Sequence, residues 1–169
     1  MMNIVPLSKE LLDDATVLID AVFPYKPDQN NARWSFKDTL TNPTADKTYW
    51  LALNDESVVI VITGLYMDHH DKNSVWLGWF GVHPKFRRQH IGSTLLEFTI
   101  AEAIRHGFSI LKLYTSTDEN EKAAHELYRK HGFIQDEITK SQDELIFVKK
   151  LMLIGQYQQL RRSYETTDF

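Results

Sequence analysis

A chain of 169 residues with 43% hydrophobic and 25% charged side chains has the length and composition of one globular domain with a sizeable core. Its formal charge of −4 argues against general electrostatic binding to nucleic acid or to an anionic membrane. The chain has no cysteine, which excludes disulfides, thiolate zinc sites and a cysteine nucleophile. We therefore expect a single cytoplasmic domain over residues 1–169, with no signal peptide and no membrane span.

The N-terminal half predicts two helices followed by a β-hairpin. Apolar residues recur at helical spacing from Leu11 to Val22, with Ser8 as the expected N-cap and Pro24 as the stop. A polar stretch separates the two arms of the hairpin, and β-branched residues crowd the second arm. The second helix is predicted over Ala32–Leu40 and the two arms over Tyr49–Leu53 and Val58–Tyr66.

The C-terminal half alternates between strands and helices. Its first helix is expected to be capped by Ser93 or Thr94, and Gly107 and Gly132 are the expected stops of its two helices. The alternation predicts an α/β (mixed α+β) fold in which a central mixed, twisted sheet is flanked by about four helices. The strands are predicted over 74–82, 110–116, Phe133–Ile138 and Glu144–Lys150, and the helices over 92–106 and 121–131.

The C-terminal tail, Leu153–Phe169, has a less defined pattern. We interpret it as an extra helix over 153–165 and as a candidate contact for a homodimer or another partner, although it has no heptad repeat.

The stretch VHPKFRRQHIGSTLLEF, Val82–Phe98, places three cations at the start of a predicted helix: Lys85, Arg87 and Arg88. A helix N-terminus is itself partly positive and prefers acidic neighbours. Three cations at this position therefore indicate that an anion binds between them. Unpaired N–H groups at a helix start bind phosphate, arginine donates in a fork suited to phosphate oxygens, and Gly92 lets the backbone come close. The pattern favours a diphosphate site, with a solvated basic loop as the alternative. It matches neither the P-loop nor GxGxxG.

Two motifs in this half resemble those of the GNAT superfamily of N-acetyltransferases. The first, V-x-P-x-x-R-R-x-x-I-G-x-x-L-L from Val82 to Leu96, is similar to the acyl-CoA signature of that family. The second, A-H-E-L-Y-R-K-H-G-F from Ala124 to Phe133, looks like the family's A-x-x-L-Y-x-K-x-G-F helix and strand. The motifs occur in the family's order and spacing, and the resemblance spans roughly residues 48–150.

The resemblance implies that acetyl-CoA is the co-substrate and that backbone amides of the loop and helix start bind its pyrophosphate. The strand before the loop is implied to hydrogen-bond the pantetheine arm, and Tyr128 to protonate the departing thiolate. A phenol with a reference pKa of about 10 can donate to a thiolate whose own is about 8.5; the alternative for Tyr128 is a core aromatic. The residues implied to bind the cofactor are Gly81, Val82, Arg87, Arg88, Gln89, His90, Ile91, Gly92, Ser93, Thr94, Asn120 and Tyr128.

The chain departs from the family pattern in three places. His90 stands where the family usually has glycine, and Glu121 stands where it usually has the asparagine seven residues before the tyrosine; Asn120 is one place early. The strand over 74–82 has no carboxylate to act as a base.

The general base therefore stays open. The residues near the strand with suitable chemistry are Asp68, His69, His70, Asp71 and His83. We interpret the sequence DHHDKN, 68–73, as a solvated turn rather than as a metal site, because two adjacent histidines cannot readily share one ion.

Aromatic residues suggest where an amine substrate would bind. In the family, the first two helices, the loop between them and the central strands build the substrate pocket, which implies Tyr25, Trp34 and Trp79 as substrate-binding residues here. The alternative for each of these side chains is packing in the core.

The leading hypothesis is an N-acetyltransferase that moves the acetyl group of acetyl-CoA to a primary amine of a small molecule or a protein. Transfer would be direct, in a ternary complex, because the absence of cysteine excludes the commonest acyl-enzyme route. A non-catalytic acyl-CoA-binding or sensing domain of the same fold is the alternative. A third hypothesis, nucleic-acid contact through the RRQH loop, is opposed by the acidic balance. We expect no metal, nucleic acid or membrane partner.

Overall fold

The computed structural model describes residues 3–24, 29–42, 46–136 and 143–152. The described residues form four α-helices and eight β-strands, and they fall into two compact units. The predicted α/β class with four helices is confirmed, whereas the single domain over 1–169 stays a prediction. The predicted tail helix over 153–165 and the end of the strand predicted over Phe133–Ile138 lie outside the described residues.

The first unit, made from Met1–Met67 and Leu77–Thr99, contains antiparallel strands and the first two helices. The predicted hairpin is confirmed: its two strands pair antiparallel from Lys47↔Tyr66 to Leu53↔Val59, and a further strand pairs with the first arm. The elements are β1 (Asn3–Pro6), α1 (Leu12–Val22), α2 (Gln29–Thr41), β2 (Lys47–Leu53), β3 (Val59–Met67) and β5 (Gly81–Val82), followed by a 3₁₀ turn (Pro84–Phe86) and the start of α3 (Ile91–Arg105).

Both faces of the β2–β3 hairpin are buried in this unit, which is why apolar residues occupy successive positions along its two strands. On one face α1 and α2 pack against the strand residues, and on the other face the first turns of α3 do so. The first cluster contains Ala15, Leu18, Ile19, Val22, Ala32, Phe36, Tyr49, Leu51, Val59 and Ile62; the second contains Ala52, Ile60, Val61 and Leu95.

The first two helices differ from their predicted bounds. Ser8 is not the N-cap of α1: its carbonyl accepts from the N–H of Leu11 at 3.2 Å, so a tight turn precedes a helix that starts at Leu12 without a side-chain cap. The apolar face predicted for α1 is nevertheless buried. Helix α2 starts at Gln29, three residues before the predicted Ala32.

The strand predicted over 74–82 is interrupted, which corrects the sequence prediction. Residues 74–77 form β4 (Ser74–Leu77), and β5 resumes only at Gly81. The N–H of Gly78 donates to the carbonyl of Gly64 at 2.8 Å, and a Cβ on Gly78 would lie 3.1 Å from Cε1 of Tyr49. Glycine therefore permits a close backbone approach at the point where the strand breaks.

The second unit is made from Asp68–Trp76 and Ile100–Phe169. Strands β4 and β6 pair in parallel from Ser74↔Ile110 to Trp76↔Lys112, as the predicted β–α–β unit requires, while the remaining pairs are antiparallel. Helix α3 ends in this unit. The other elements are β6 (Ile110–Ser116), a 3₁₀ turn (Glu119–Glu121), α4 (Lys122–Lys130), β7 (Ile134–Gln135) and β8 (Glu144–Lys150).

The predicted glycine stops are confirmed. Gly107 follows α3 with φ +87°, and the N–H of Phe108 donates back to the carbonyl of Ala103 at 3.1 Å, which is the bond of a Schellman motif. Gly132 follows α4 with φ +80°. Within the described ranges, no helix is both long enough and apolar enough to cross a bilayer. The cytoplasmic location and the homodimer stay predictions.

Candidate active site

The basic loop between β5 and α3 has a defined backbone. The ring Nδ1 of His83 accepts the N–H of Lys85 at 3.2 Å and starts the 3₁₀ turn. The chain then takes the left-handed conformation at two non-glycine residues, Arg88 with φ +62° and His90 with φ +60°, immediately before α3 begins at Ile91. Two such residues in three are unusual, and they mark a loop whose shape the surrounding structure imposes.

His90 adopts the left-handed backbone conformation that glycine adopts without strain. The GNAT superfamily, which the two motifs resemble, usually has glycine at this position. Its side chain is exposed. The N–H of Thr94 donates to the His90 carbonyl at 3.1 Å, and the Thr94 hydroxyl donates to the same oxygen at 3.3 Å. Ser93 and Thr94 therefore lie inside the first turn of α3, and the prediction that either one caps the helix is wrong.

The start of α3 presents N–H groups that the helix itself does not use. The first backbone hydrogen bond of the helix is donated by Thr94, so the preceding N–H groups, those of Ile91, Gly92 and Ser93, lack an intrahelical acceptor. Successive N–H groups beside left-handed residues form a concave anion site, and the helix dipole adds partial positive charge. This geometry suits a phosphate.

The loop cations keep their charge available. In the described part of the chain, no carboxylate lies within ion-pair distance of Lys85, Arg87 or Arg88, whereas Arg105 pairs with Glu102 at 2.6 Å. All three loop side chains are exposed. An anion bound here would therefore meet cations that are not already neutralised.

Arg87 is held by the backbone of its own unit. Its Nε donates to the carbonyl oxygen of Val82 at 3.0 Å, and its Nη2 donates to the carbonyl oxygen of Val22 at 3.4 Å. Within the described ranges the remaining donors of the guanidinium fork have no protein acceptor, so they can bind a ligand. The structure thus brings Val82 and Arg87 together with the start of α3, as the sequence predicts.

Packing against α1 requires glycine at position 81. A Cβ at this position would lie 2.6 Å from Cγ1 of the buried Val22, so only glycine lets β5 approach α1 as it does. Among the described strands β5 pairs with β3 alone, through Val61↔Val82 and Ile62↔Gly81. A cofactor contact at Gly81 or Val82 stays a prediction.

Tyr128 lies in the second unit, on α4. Its side chain is 6% exposed, and its ring packs 5.9 Å from Phe133 and 5.9 Å from Phe147, measured between centroids. The core-aromatic interpretation therefore describes its ring correctly. Packing of this kind also fixes the ring, which a proton donor requires, so the catalytic role of Tyr128 stays a prediction.

The residues before α4 differ from the family pattern in a specific way. Glu121 is buried, and its Oε2 accepts from the N–H of Ser116 at 2.9 Å and from the Thr115 hydroxyl at 2.5 Å. Asn120 is exposed, and its amide Nδ2 donates to Asp118 at 2.7 Å. The predicted cofactor contact of Asn120 would have to compete with that hydrogen bond.

Sequence reasoning missed a buried polar cluster at this place. The Thr115 hydroxyl lies 3.0 Å from Nε2 of His125, which is itself 6% exposed, and it also bonds Glu121. The available signal was the spacing of Glu121 and His125, which puts both on one side of a helix start. The sequence does not reveal that Thr115 meets them, because that contact depends on how α4 packs on β6.

The aromatic residues predicted to bind substrate have separate surroundings. The Trp79 ring packs 5.6 Å from Phe23 against the core cluster of the first unit, which favours its packing role. Trp34 is 63% exposed on α2, and the ammonium of Lys47 lies 4.8 Å from its ring centroid. Tyr25 lies outside the described residues.

The turn at 68–73 is more ordered than a solvated loop. Asp68 is buried and accepts from the N–H of His70 at 2.9 Å and from Nζ of Lys112 at 3.0 Å, whereas His69 and His70 are exposed. The prediction of a solvated turn therefore describes the histidines and is wrong for Asp68. Within the described ranges, no group of three metal-binding side chains comes together, and no residue is identified as the general base.

Comparison with known proteins agrees with the two motifs. The model of the acetyltransferase (GNAT) family matches residues 11–133. An aminoalkylphosphonate N-acetyltransferase from Salmonella typhimurium is 32% identical over 126 residues, which cover 73% of this chain and 79% of that protein.

Solved structures show the same fold. An acetyltransferase of the GNAT family from Staphylococcus aureus has a TM-score of 0.75 at 19% identity, with 89% of this chain and 99% of that chain covered. The PaiA N-acetyltransferase from Thermoplasma acidophilum, solved in complex with coenzyme A, has a TM-score of 0.69 at 18% identity and the same coverage. Because the family match spans more than half of the sequence, this chain belongs to the GNAT family of acetyltransferases.

Proposed function

We propose that this chain transfers the acetyl group of acetyl-CoA to a primary amine of a small molecule or of a protein, by direct attack in a ternary complex. Family membership supports the class of reaction, and the coenzyme A bound to the Thermoplasma relative supports the donor. The observation that carries the proposal is the basic loop: three exposed cations precede a helix start whose first N–H groups lack intrahelical acceptors.

The pyrophosphate of acetyl-CoA is the anion that this loop would bind. The N–H groups of Ile91, Gly92 and Ser93 would donate to its oxygens, and Arg87 and Arg88 would offset its charge. His90 supports the proposal because its backbone already has the left-handed conformation that lets the following N–H groups converge. Its exposed ring has room to turn away from a bound phosphate.

The transfer step balances with few protein groups. The lone pair of a neutral amine attacks the thioester carbonyl carbon, the C–S bond breaks, and the sulfur leaves as a thiolate. In this proposal the Tyr128 hydroxyl gives its proton to that sulfur, and the proton lost by the amine returns through water to the phenolate.

The relative from Salmonella points to one class of amine to test first. Its name states that it acts on aminoalkylphosphonates, and it shares 32% of residues with this chain over 126 positions. We therefore place aminoalkylphosphonates at the head of an amine screen, followed by simple alkylamines and by peptides with a free N-terminus.

A non-catalytic acyl-CoA sensor is the second candidate. It is favoured by Glu121, which is buried and bonded to Thr115 at the position where the family pattern has a cofactor-binding asparagine. Tyr128→Phe separates the two candidates. An enzyme should lose most of its kcat, about 10²- to 10⁴-fold, while keeping its affinity for acetyl-CoA, whereas a sensor has no turnover to lose.

The first experiment is calorimetric titration of the purified chain with acetyl-CoA. We expect a Kd in the micromolar range, about −8 kcal/mol. Gly92→Glu, which places a carboxylate at the helix start, should abolish binding by repulsion. Ala101→Glu adds the same charge at an exposed position of α3, further along the helix, and should bind as the wild type does. Absence of binding by the wild type would overturn the proposal.

A further inference from the structure

The buried cluster of Thr115, Glu121 and His125 connects two elements of the second unit. Thr115 lies near the carboxyl end of β6, Glu121 precedes α4, and His125 is on α4 itself. Each of these side chains is buried, with 6–7% of its surface exposed. Polar groups are seldom buried together without a specific reason, because each must recover the hydrogen bonds it loses to water.

The order of hydrogens in the cluster follows from its chemistry. A hydroxyl has one hydrogen, and an ionised carboxylate only accepts, so Thr115 donates to Oε2 of Glu121 and accepts from Nε2–H of His125. Glu121 also accepts the backbone N–H of Ser116 at 2.9 Å. The cluster is therefore a continuous chain of hydrogen bonds from α4 to β6.

The electrostatics of His125 agree with this order. Burial lowers the pKa of the imidazole below its ordinary value of 6.5, although a hydrogen bond with the backbone of Ser116 acts in the opposite direction. A lowered pKa favours the neutral imidazole, which can donate to one partner and accept from another.

Tyr128 follows His125 by three residues, which puts the two side chains on the same side of α4. Both rings pack on Phe147, His125 at 5.7 Å and Tyr128 at 5.9 Å between centroids. A rotation or a shift of α4 would therefore move Tyr128 together with His125. The polar cluster sets the position of the helix at its start, and Phe147 sets the position of the ring.

We propose that Thr115, Glu121 and His125 are positioning residues that hold α4, and with it the hydroxyl of Tyr128, in the orientation needed for proton donation to the thiolate. This inference rests on the proposed function. In this inference Glu121, which stands where the family has asparagine, positions the proton donor Tyr128 and does not contact the pantetheine arm of the cofactor. The expected effect is therefore on kcat and not on the affinity for acetyl-CoA.

A matched pair of variants tests the hydroxyl. Thr115→Val keeps the shape of the side chain and removes the hydroxyl, whereas Thr115→Ser keeps the hydroxyl. We expect Thr115→Val to lower kcat by about 10- to 100-fold with the KM for acetyl-CoA nearly unchanged, since small misplacements of a reacting group have effects of this size. Thr115→Ser should retain most of the wild-type kcat. Equal losses in both variants, or a loss confined to KM, would overturn the inference.

A double-variant cycle separates positioning from a general loss of stability. If Thr115 acts through Tyr128, the effect of Thr115→Val on kcat should largely disappear in a Tyr128→Phe background. Additive losses would overturn the inference. Glu121→Gln, which keeps the shape and one acceptor oxygen, provides the same cycle if Thr115→Val does not fold.

A readout without turnover distinguishes this inference from the proposed function. The NMR resonances of the Tyr128 ring should shift or broaden in Thr115→Val and stay near their wild-type positions in Thr115→Ser. Unchanged ring resonances in Thr115→Val would overturn positioning whatever the activity. If the ring resonances shift as expected in Thr115→Val but the wild type acetylates no amine in the screen, the proposed function is overturned instead.

Discussion

Nε of Arg87 donates to the carbonyl oxygen of Val82 at 3.0 Å, so the first loop arginine is tied to the strand that precedes it. The neighbouring Arg88 has a left-handed backbone, φ +62°, and an exposed side chain. Of these two adjacent cations, Arg87 has a side-chain hydrogen bond to the preceding strand, and Arg88 has a left-handed backbone.

From this difference we expect substitution by lysine to change the affinity for acetyl-CoA more at Arg87 than at Arg88. Arg87→Lys keeps the charge but removes the Nε donor, so we expect its affinity for acetyl-CoA to fall about tenfold. Arg88→Lys keeps the charge and loses no hydrogen bond to the residues that the structure describes, and we expect a change of less than about threefold. Calorimetric titration at one fixed salt concentration measures both. Equal losses in the two variants would contradict this difference, and no loss in either variant would show that charge alone is responsible.

His90 predicts a gain in stability on substitution by glycine. A non-glycine residue in the left-handed region costs about 1 kcal/mol, and the greater flexibility of glycine in the unfolded chain offsets part of that gain. We expect His90→Gly to raise the free energy of unfolding by about 0.5 kcal/mol and His90→Val to lower it by more than 1 kcal/mol, since β-branched residues tolerate this region poorly. Urea unfolding measures the difference. If both variants are destabilised alike, the imidazole rather than the backbone is responsible.

How far the sequence predicts this structure depends on whether a feature is local. The stops at Gly107 and Gly132 are predicted because a positive φ at a helix end is a local requirement for glycine. The basic loop is likewise predicted from adjacent residues, and the start of α3 is predicted to within one residue, although the cap expected at Ser93 or Thr94 is wrong. The break between β4 and β5 was not predicted, because the apolar run continues across it and the cause is the approach of Gly78 to Gly64 on another strand.

The buried cluster shows the same limit at the site. Glu121 was identified as a departure from the family pattern, but its partner Thr115 belongs to a different element, and their contact depends on the docking of α4. Ser8 illustrates the opposite failure. Its residue type suits an N-cap, yet a tight turn to Leu11 places it before the helix instead.

Because Gly81 and Val22 are in close contact, we expect the effects of substituting them on the free energy of unfolding to be coupled. Gly81→Ala would place a Cβ 2.6 Å from Cγ1 of Val22, and we expect this overpacking to cost about 1–3 kcal/mol. Because Val22→Ala removes the obstructing methyl groups, the double variant should be less destabilised than the sum of the two single variants by about 1 kcal/mol. Thermal or urea unfolding of the four proteins gives this coupling.

Gly107→Ala is the control for that cycle. Among the described residues a Cβ on Gly107 meets nothing within 4 Å, so its expected cost of about 1 kcal/mol comes from φ +87°. It should therefore add to Val22→Ala without coupling. Additive behaviour of Gly81→Ala with Val22→Ala would contradict the close contact between β5 and α1.

From the ion pair between Asp68 and Lys112 we expect the folded protein to lose stability in acid. Burial alone would raise the pKa of Asp68, but the N–H of His70 and the ammonium of Lys112 outweigh it, and the pKa is lowered from its ordinary value of 3.8. The unfolded state therefore binds a proton at higher pH than the folded state does. The stability due to this carboxylate is present above about pH 4 and is lost as the pH falls through the folded pKa.

Lys112→Met tests this linkage, because it leaves a buried carboxylate without its ammonium partner at 3.0 Å. We expect a loss of about 1–2 kcal/mol at pH 7, which shrinks as the pH is lowered to about 3 and Asp68 becomes protonated. Lys122→Met is the matched control: its pair with Glu119, at 2.6 Å, is exposed on both sides and should contribute less than about 0.5 kcal/mol at any pH. Urea unfolding of both variants and the wild type between pH 3 and 7 measures the difference. A Lys112→Met deficit that stays constant across this range would mean that lost packing of the lysine chain on Trp76, rather than the charge of Asp68, sets the stability of this turn.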